Sequence, residues 1–579
     1  MGITKRFGFL WLMVFLIPLV WAPILFSGVG IYDWDHVLQR YAAIYQTYVK
    51  YGQFPGNNIW AGGGMPLVQT YPGYGLFTAL ALLAGPSIGI HLGLAVYYIL
   101  GYFGAIKLAN IFTKEESTQV YFALYIVFGN AIAYHLAVGH TIFANILILP
   151  YLLYFTINYR KRYSGIFSGV LFGFSNLDGF AYTNQYIAII LIIFIIWRFI
   201  IDLNSRKNII NFTIFLMLGF FSVATYKIIS ILPLLNDFPR FVSGVTNYAL
   251  TDWLRFSFVP RTGLYNVNVG SNHCAGTWEN GNYLGLSALI LLLLVTFKKT
   301  KIIFPVLLIL IFSFSNDTNW YSFNYYLKML PSFSSHLCTT RLRVISPIVV
   351  GLAILIIYKD EKEINFFKLK ILKNTALLLM ALEVFIVSAL ILLKSHIYIN
   401  EKPVTEWNKE FRSYVKLPLG VSDLYSATMS NIGVSSETES YISYSPVKDP
   451  ALFEILNRTA EFTQGETQIT PTYWSPNKII FNTNDLDNCI STKIHKSNLW
   501  NINGSAIFKD KRIYESGELI CGYPDQGGRL ELEYKSPWES IALAINLIII
   551  IITLFLLVIR WRFKDYEFKV KAREYLRSY

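Results

Sequence analysis

Long apolar runs separated by short polar turns recur along this chain. At membrane-crossing length they fall at roughly 7–29, 89–112, 119–138, 142–158, 164–177, 185–201, 209–235, 281–297, 302–315, 344–358, 371–394 and 538–559. Since a bilayer is crossed by roughly 20 apolar residues, the pattern predicts an all-α polytopic protein of about 12 transmembrane helices. One further apolar run, Leu76 to Ala84 in PGYGLFTALALLAGP, is short and bounded by Pro72 and Pro86. It predicts an interfacial or re-entrant helix. The first run lacks a small-residue cleavage site before the Asp33 loop and is expected to stay as an anchor.

The polar turns sort by charge. Lys5, Arg6, Arg160, Lys161, Arg162, Arg206, Lys207, Lys298, Lys299, Lys301, Lys359, Lys362, Lys368 and Lys370 lie in alternate turns, and residues 560–577 form a basic tail. The turns at 139–141 and 178–184 hold no Lys or Arg. Basic short loops mark the cytoplasmic side, so both termini are expected there, with the inner (plasma) membrane as the location. Four large regions then face outward: 30–88, 236–280, 316–343 and 395–537. The organisation expected is a membrane region over 1–394, an external domain over 395–537, and a last span with its basic tail over 538–579. Strand-like pieces at Ile479–Asn482, Ala506–Phe508 and Leu530–Tyr534 predict a smaller external β or α+β domain. The segment WYSFNYYLKML, 320–330, predicts a helix lying in the interface.

Composition agrees with this class: 54% of residues are hydrophobic and 15% charged, and mean hydropathy is +0.43. The net charge of +13 sits in one-sided clusters beside spans, which points to membrane lipids and not to nucleic acid. All four cysteines, Cys274, Cys338, Cys489 and Cys521, fall on the external side. Disulfides persist in oxidising compartments. Two bridges are expected, most simply Cys274–Cys338 and Cys489–Cys521, with four buried thiols as the alternative.

Candidate chemistry concentrates beside the spans. Asp33 and Asp35 stand just outside the first one. Acids with one spacer suit a metal such as Mg²⁺ or Mn²⁺, or general-base work on an acceptor hydroxyl; solvated acids at a helix N-terminus are the plain alternative. Lys227 lies within a span, where a charge is costly and meets either a lipid-linked phosphate or the interface by snorkelling. Arg341 and Arg343, in TTRLRVISP, suit phosphate binding or lipid head groups. His140, in VGHT, can donate to a sugar or phosphate or serve as a cap. Glu279, in TWENGNYLG, is another acid at the membrane surface. His273 has no companion at zinc-ligand spacing. No Walker-type loop, GxSxG or dinucleotide fingerprint appears. An active site here would therefore draw on an activated substrate already outside, such as a polyprenyl-phosphate sugar.

Six stretches taken together resemble the GT-C superfamily of membrane glycosyltransferases, in its YfhO-like and ArnT-like branches. They are YDWDHVLQRYAAIYQTYVKYGQFPGNNIWAGGGMPL, VGHTIFANILILPYLL, TYKIISILPLLNDFPR, WENGNYLGLSALILLL, FSSHLCTTRLRVISP and GRLELEYKSPW. The resemblance implies a polyprenyl-phosphate-linked donor and an envelope glycan or lipid-linked acceptor. It implies Asp33 as the base and sugar transfer with inversion. Lys227 with Arg341 or Arg343 would neutralise the departing phosphate. Families of this kind often carry an Arg-x-Pro-Ser-Arg type sequence where this chain has RLRVISP from Arg341 to Pro347, so either arginine corresponds. A lipid-linked sugar flippase and a non-catalytic envelope-assembly protein are the alternative readings; the flippase would show repeated halves, and none is found.

Overall fold

The computed structural model describes residues 2–25, 33–60, 65–67, 74–161, 163–179, 183–231, 250–262, 281–293, 326, 329, 339–359, 370–397, 414–415, 423–431, 433–434, 462–495, 500–503, 506–509, 519–535 and 537–577. Among them, seven helices are long and apolar enough to cross a membrane: Ile3–Ile24, Pro86–Ala109, Glu116–Ala137, Thr183–Ile201, Leu203–Ile231, Asn374–Ser395 and Ser540–Ile559. Shorter helices, Thr141–Ile157, Ser164–Gly179, Leu286–Leu293 and Ser346–Lys359, fill the positions of four further expected spans. The run at 302–315, the segment 320–330 apart from two residues, and the pair Cys274–Cys338 lie outside the described residues. The protein is a polytopic helical membrane protein with a small β region towards its C-terminus.

Proline shapes several of these helices. Pro18 introduces a wide π turn, Ile17–Trp21, into the first span, because it removes one ladder hydrogen bond. Pro150 and Pro347 each stand near the start of an α-helix, and in both cases the preceding turns tighten to 3-10 geometry, Thr141–Ile148 and Thr339–Ile345. The run Leu76–Ala84 is a helix of 9 residues. At 1.5 Å per residue it reaches only about 14 Å, well short of a bilayer. It folds back on Pro86–Ala109 so tightly that a Cβ on Gly89 would come within 2.3 Å of the Ala81 backbone nitrogen. The pair is a tight helical hairpin, a geometry that an interfacial or a re-entrant helix would each allow.

Residues 462–535 form two antiparallel sheets. One has four strands: Tyr473–Ser475, Lys478–Asn482, Trp500–Ile502 and Arg529–Tyr534. The other has five: Thr463–Gln464, Thr467–Gln468, Ile490–His495, Ala506–Lys509 and Leu519–Gly522. In Arg529–Tyr534 the alternate residues Leu530, Leu532 and Tyr534 are buried, the period of two that a one-sided strand demands. With Ile479, Phe481, Ile490, Ile494 and Ile520 they make the β core. Cys489 and Cys521 are bridged, with Cα atoms 5.5 Å apart, which excludes free thiols for that pair.

The segment that follows the first span is the seat of the β region. Trp474 lies edge-on between Tyr51 and Trp60, at 5.7 and 5.9 Å. Gln53 donates to Ser475 Oγ at 2.9 Å, and Asn477 donates to the Phe54 carbonyl at 2.7 Å. A short helix, Asp423–Met429, docks on Trp34–Tyr45 through Gln39 to Thr428 Oγ1 at 3.1 Å and Gln46 to the Met429 carbonyl at 3.1 Å.

Candidate functional site

Asp33 immediately precedes the helix Trp34–Tyr45, and two contacts pin it to the turn after Asn130–Ala137. Its backbone N–H donates to the Val138 carbonyl at 3.1 Å. The Trp34 indole donates to the Leu136 carbonyl at 2.8 Å while its ring stacks on His91 at 5.2 Å and 4°. Gly139 makes the approach possible: its φ is +90°, and a Cβ there would meet the Trp34 backbone nitrogen at 2.4 Å.

This docking presents one carboxylate. Asp33 Oδ2 is 2.7 Å from His140 Nε2, and the Asp33 side chain keeps 52% of its surface exposed against 9% for His140. His140 Nδ1 is 3.0 Å from His135 Nδ1. The His135 ring lies flat on Phe143, with centroids 3.6 Å apart. Burial pushes the Asp33 carboxyl up; the His140 hydrogen bond and charge, then the charges of His36 and Arg341, outweigh it and hold the group at about 2. No side-chain cap bond ties Asp33 to the helix that follows.

The remaining candidates divide. Asp35 does not converge with Asp33: it is buried, and its Oδ1 accepts the Tyr425 N–H at 3.0 Å. Among the described residues no group of three His, Cys, Asp or Glu could hold a metal. Arg341 is buried in the 3-10 turn Thr339–Ile345, and its charge reaches both Asp33 and His135. Arg343 is buried in the same turn. Lys227 is brought to a different place. Its Nζ donates to the Leu177 carbonyl at 2.7 Å, beside the buried Asp178. Glu279 lies outside the described residues.

Two functional-looking groups escape a sequence reading. His135 stands five residues before His140 in AYHLAVGH, a spacing with no familiar meaning until the turn folds back. Asp178 accepts the Leu76 N–H at 2.9 Å, the Phe77 N–H at 3.3 Å and the Tyr97 hydroxyl at 2.8 Å, so it caps the helix Leu76–Ala84. Its one sequence signal is an acid in a turn, 178–184, that lacks Lys and Arg.

The arrangement defines a polytopic membrane protein with a half-exposed carboxylate fixed at one end of its first span, where the charge of Arg341 acts on it. No protein-family model matches the chain, and no curated protein matches it. Among solved structures, the chain is similar to the arabinofuranosyltransferase AftD from mycobacteria, at 13% identity and a TM-score of 0.47, over 90% of this chain and 40% of AftD. A mutant form of AftD matches at 14% identity and a TM-score of 0.36, over 66% of this chain and 27% of that one. The chain therefore spans less than half the length of AftD. At such scores neither match carries weight for the chemistry, which rests on this chain's own residues.

Proposed function

We propose that this chain is a membrane glycosyltransferase. It moves a sugar from a polyprenyl-phosphate-linked donor to an envelope glycan or lipid-linked acceptor, at the external face of the inner membrane. The observation that carries the reading is the Asp33 carboxylate: half exposed, one oxygen held by His140 at 2.7 Å, and seated directly after the first span. A carboxylate so placed can take a proton from an acceptor hydroxyl at the depth where a lipid phosphate lies. The hydroxyl oxygen then bonds to the anomeric carbon, and the carbon–oxygen bond to the phosphate breaks with its electron pair leaving on the phosphate. Direct displacement inverts the anomeric carbon. Arg341 opposes the charge that grows on the departing phosphate.

A group held at about 2 is fully ionised at neutral pH. Such a base is weak, so it takes the proton late, once bonding to the electrophilic carbon has made the hydroxyl acidic. The separation of Asp33 from Asp35 supports Asp33 acting as a base and not as one of a pair of metal ligands.

The test is sugar transfer by the purified full chain with a synthetic polyprenyl-phosphate donor. Asp33→Asn keeps the shape and removes the proton acceptor. Turnover is expected to fall about 10²–10⁴-fold, with donor binding retained, and wild-type activity is expected to survive EDTA. Full turnover in Asp33→Asn would refute the reading.

A further inference from the structure

Behind the exposed carboxylate stand two imidazoles in line, and both ring nitrogens of the first are committed to the protein. His140 Nε2 meets Asp33 Oδ2 at 2.7 Å and its Nδ1 meets His135 Nδ1 at 3.0 Å. Neither ring nitrogen of His140 is left to hold a sugar or phosphate. Only one proton fits between two facing Nδ1 atoms. When His140 is neutral and donates from Nε2 to Asp33, its Nδ1 must accept from His135. When His140 is protonated it donates both ways, and His135 takes the other tautomer. In each state Oδ2 is engaged, and the carboxylate's proton-accepting edge lies at Oδ1.

The backbone fixes the same geometry. His140 N–H donates to the His135 carbonyl at 2.9 Å, and Phe143 N–H donates to the His140 carbonyl at 3.1 Å. The flat contact of His135 on Phe143 stops the inner ring from turning. The order is the reverse of a serine-hydrolase triad, where imidazole faces the substrate and carboxylate stands behind. Here the carboxylate faces outward and imidazole stands behind.

We propose that His140 and His135 are positioning residues for sugar transfer: they lock Asp33 so that Oδ1 faces the acceptor hydroxyl. The inference rests on the transferase reading above and deepens it. His140 also sets the charge around Asp33, together with His36 and Arg341. Arg341 also acts on His135. Without His140 the partial burial of the carboxyl loses the largest of its opposing contributions, with His36 and Arg341 still acting, so Asp33 protonates at higher pH. A base must be ionised to work, so the acid limb of the rate profile moves upward.

The experiment compares Asp33→Asn, His140→Ala, His140→Gln and His135→Leu in the purified full chain. His140→Ala is expected to lower kcat about tenfold to a hundredfold, the worth of a charge-assisted hydrogen bond, with donor KM nearly unchanged. Its rate should drop on going from pH 7.5 to pH 5 more than the wild type's. His140→Gln puts an amide donor near the position of Nε2 and is expected to recover most of kcat at pH 7.5. A readout independent of turnover is carbodiimide labelling, which attacks protonated carboxyls. Labelling of Asp33, read by peptide mass spectrometry, should begin at higher pH in His140→Ala.

Should His140→Ala fail to fold, His135→Leu decides, because it leaves the Asp33–His140 contact and removes only the inner partner. It is expected to lower kcat about threefold to tenfold, as losing one neutral hydrogen bond does, and to shift the profile in the same direction. Wild-type kcat and pH profile in His140→Ala or, where that fails, in His135→Leu would overturn the positioning role. Inactive Asp33→Asn in the same series would leave the transferase reading standing. Active Asp33→Asn would overturn both.

Discussion

Lys227 is a single charge buried inside the membrane region. It is 1% exposed, and one of its three donors is spent on the Leu177 carbonyl at 2.7 Å. Asp178 supplies the opposite charge and is itself held by two backbone N–H groups and the Tyr97 hydroxyl. Its neighbours read as a fold-stabilising cluster, whereas Arg341 acts on Asp33. Lys227→Met keeps most of the stem volume but leaves Asp178 buried without its countercharge. The expected result is a lower unfolding midpoint in detergent, equivalent to about 1.5–3 kcal/mol, with donor KM unchanged in the folded fraction. Wild-type stability with a raised donor KM would instead assign Lys227 to the phosphate. Asp33 was legible in the sequence because a short-range signal, an acid directly after a span, marks it. Its partner His140 was legible as a polar residue in a tight turn. Their pairing was not, because 107 residues separate them.

The elements were legible where a local period marks them and illegible where a distant contact decides. Ile479–Asn482 and Leu530–Tyr534 alternate and are strands within a residue of the expected bounds. Which strands pair, and that they divide into two sheets, depends on contacts far apart in sequence. The tightening of Thr141–Ile148 follows from Pro150, yet the sequence reads as plain helix there because the pattern is apolar throughout. The cap on Leu76–Ala84 comes from Asp178, 102 residues away from Leu76. Cys489–Cys521 is a case where compartment logic and structure meet. The bridge joins the start of Ile490–His495 to Leu519–Gly522, at a sequence separation of 32. Closing a loop of that length stabilises by about 3–4 kcal/mol in the chain-entropy description. Cys489→Ser with Cys521→Ser is expected to lower the unfolding midpoint of the β region while the helices stay folded. Peptide mapping should find both thiols blocked before reduction and open after it. An unchanged midpoint, or labelling before reduction, would contradict the bridge's role.

At the scale of the whole molecule, contacts between turns sort them into two ends. Lys5 approaches Glu116 at 3.7 Å, Asn374 donates to Glu115 at 2.7 Å, and Arg160 meets Asp202 at 3.2 Å. At the other end lie the Asp33–His140 pair, the Asp178 cap on Leu76 and the docked β region. Among the described residues, Lys5 and Arg160 fall at the first end and the turn 139–141, which holds no Lys or Arg, at the second, the division that charge-directed orientation predicts. Parity then constrains the residues between. Ser257, whose carbonyl holds the Leu284 N–H, precedes the run 281–297, and Arg341, acting on Asp33, follows the run 302–315. The apolar runs 281–297 and 302–315 are expected to be two crossings, which would return the chain to the end it left and put 298–301 with the other basic turns. A reporter inserted at 298–301 or fused after Tyr579 is therefore expected to read cytoplasmic. One placed at Gly465, in an exposed turn of the β region, should read external. An external signal from 298–301 with an external signal from Gly465 would mean that the interval is not crossed twice. An external signal from Tyr579 would invert the last span and remove the basis for placing Asp33 on the side where lipid-linked sugars are presented.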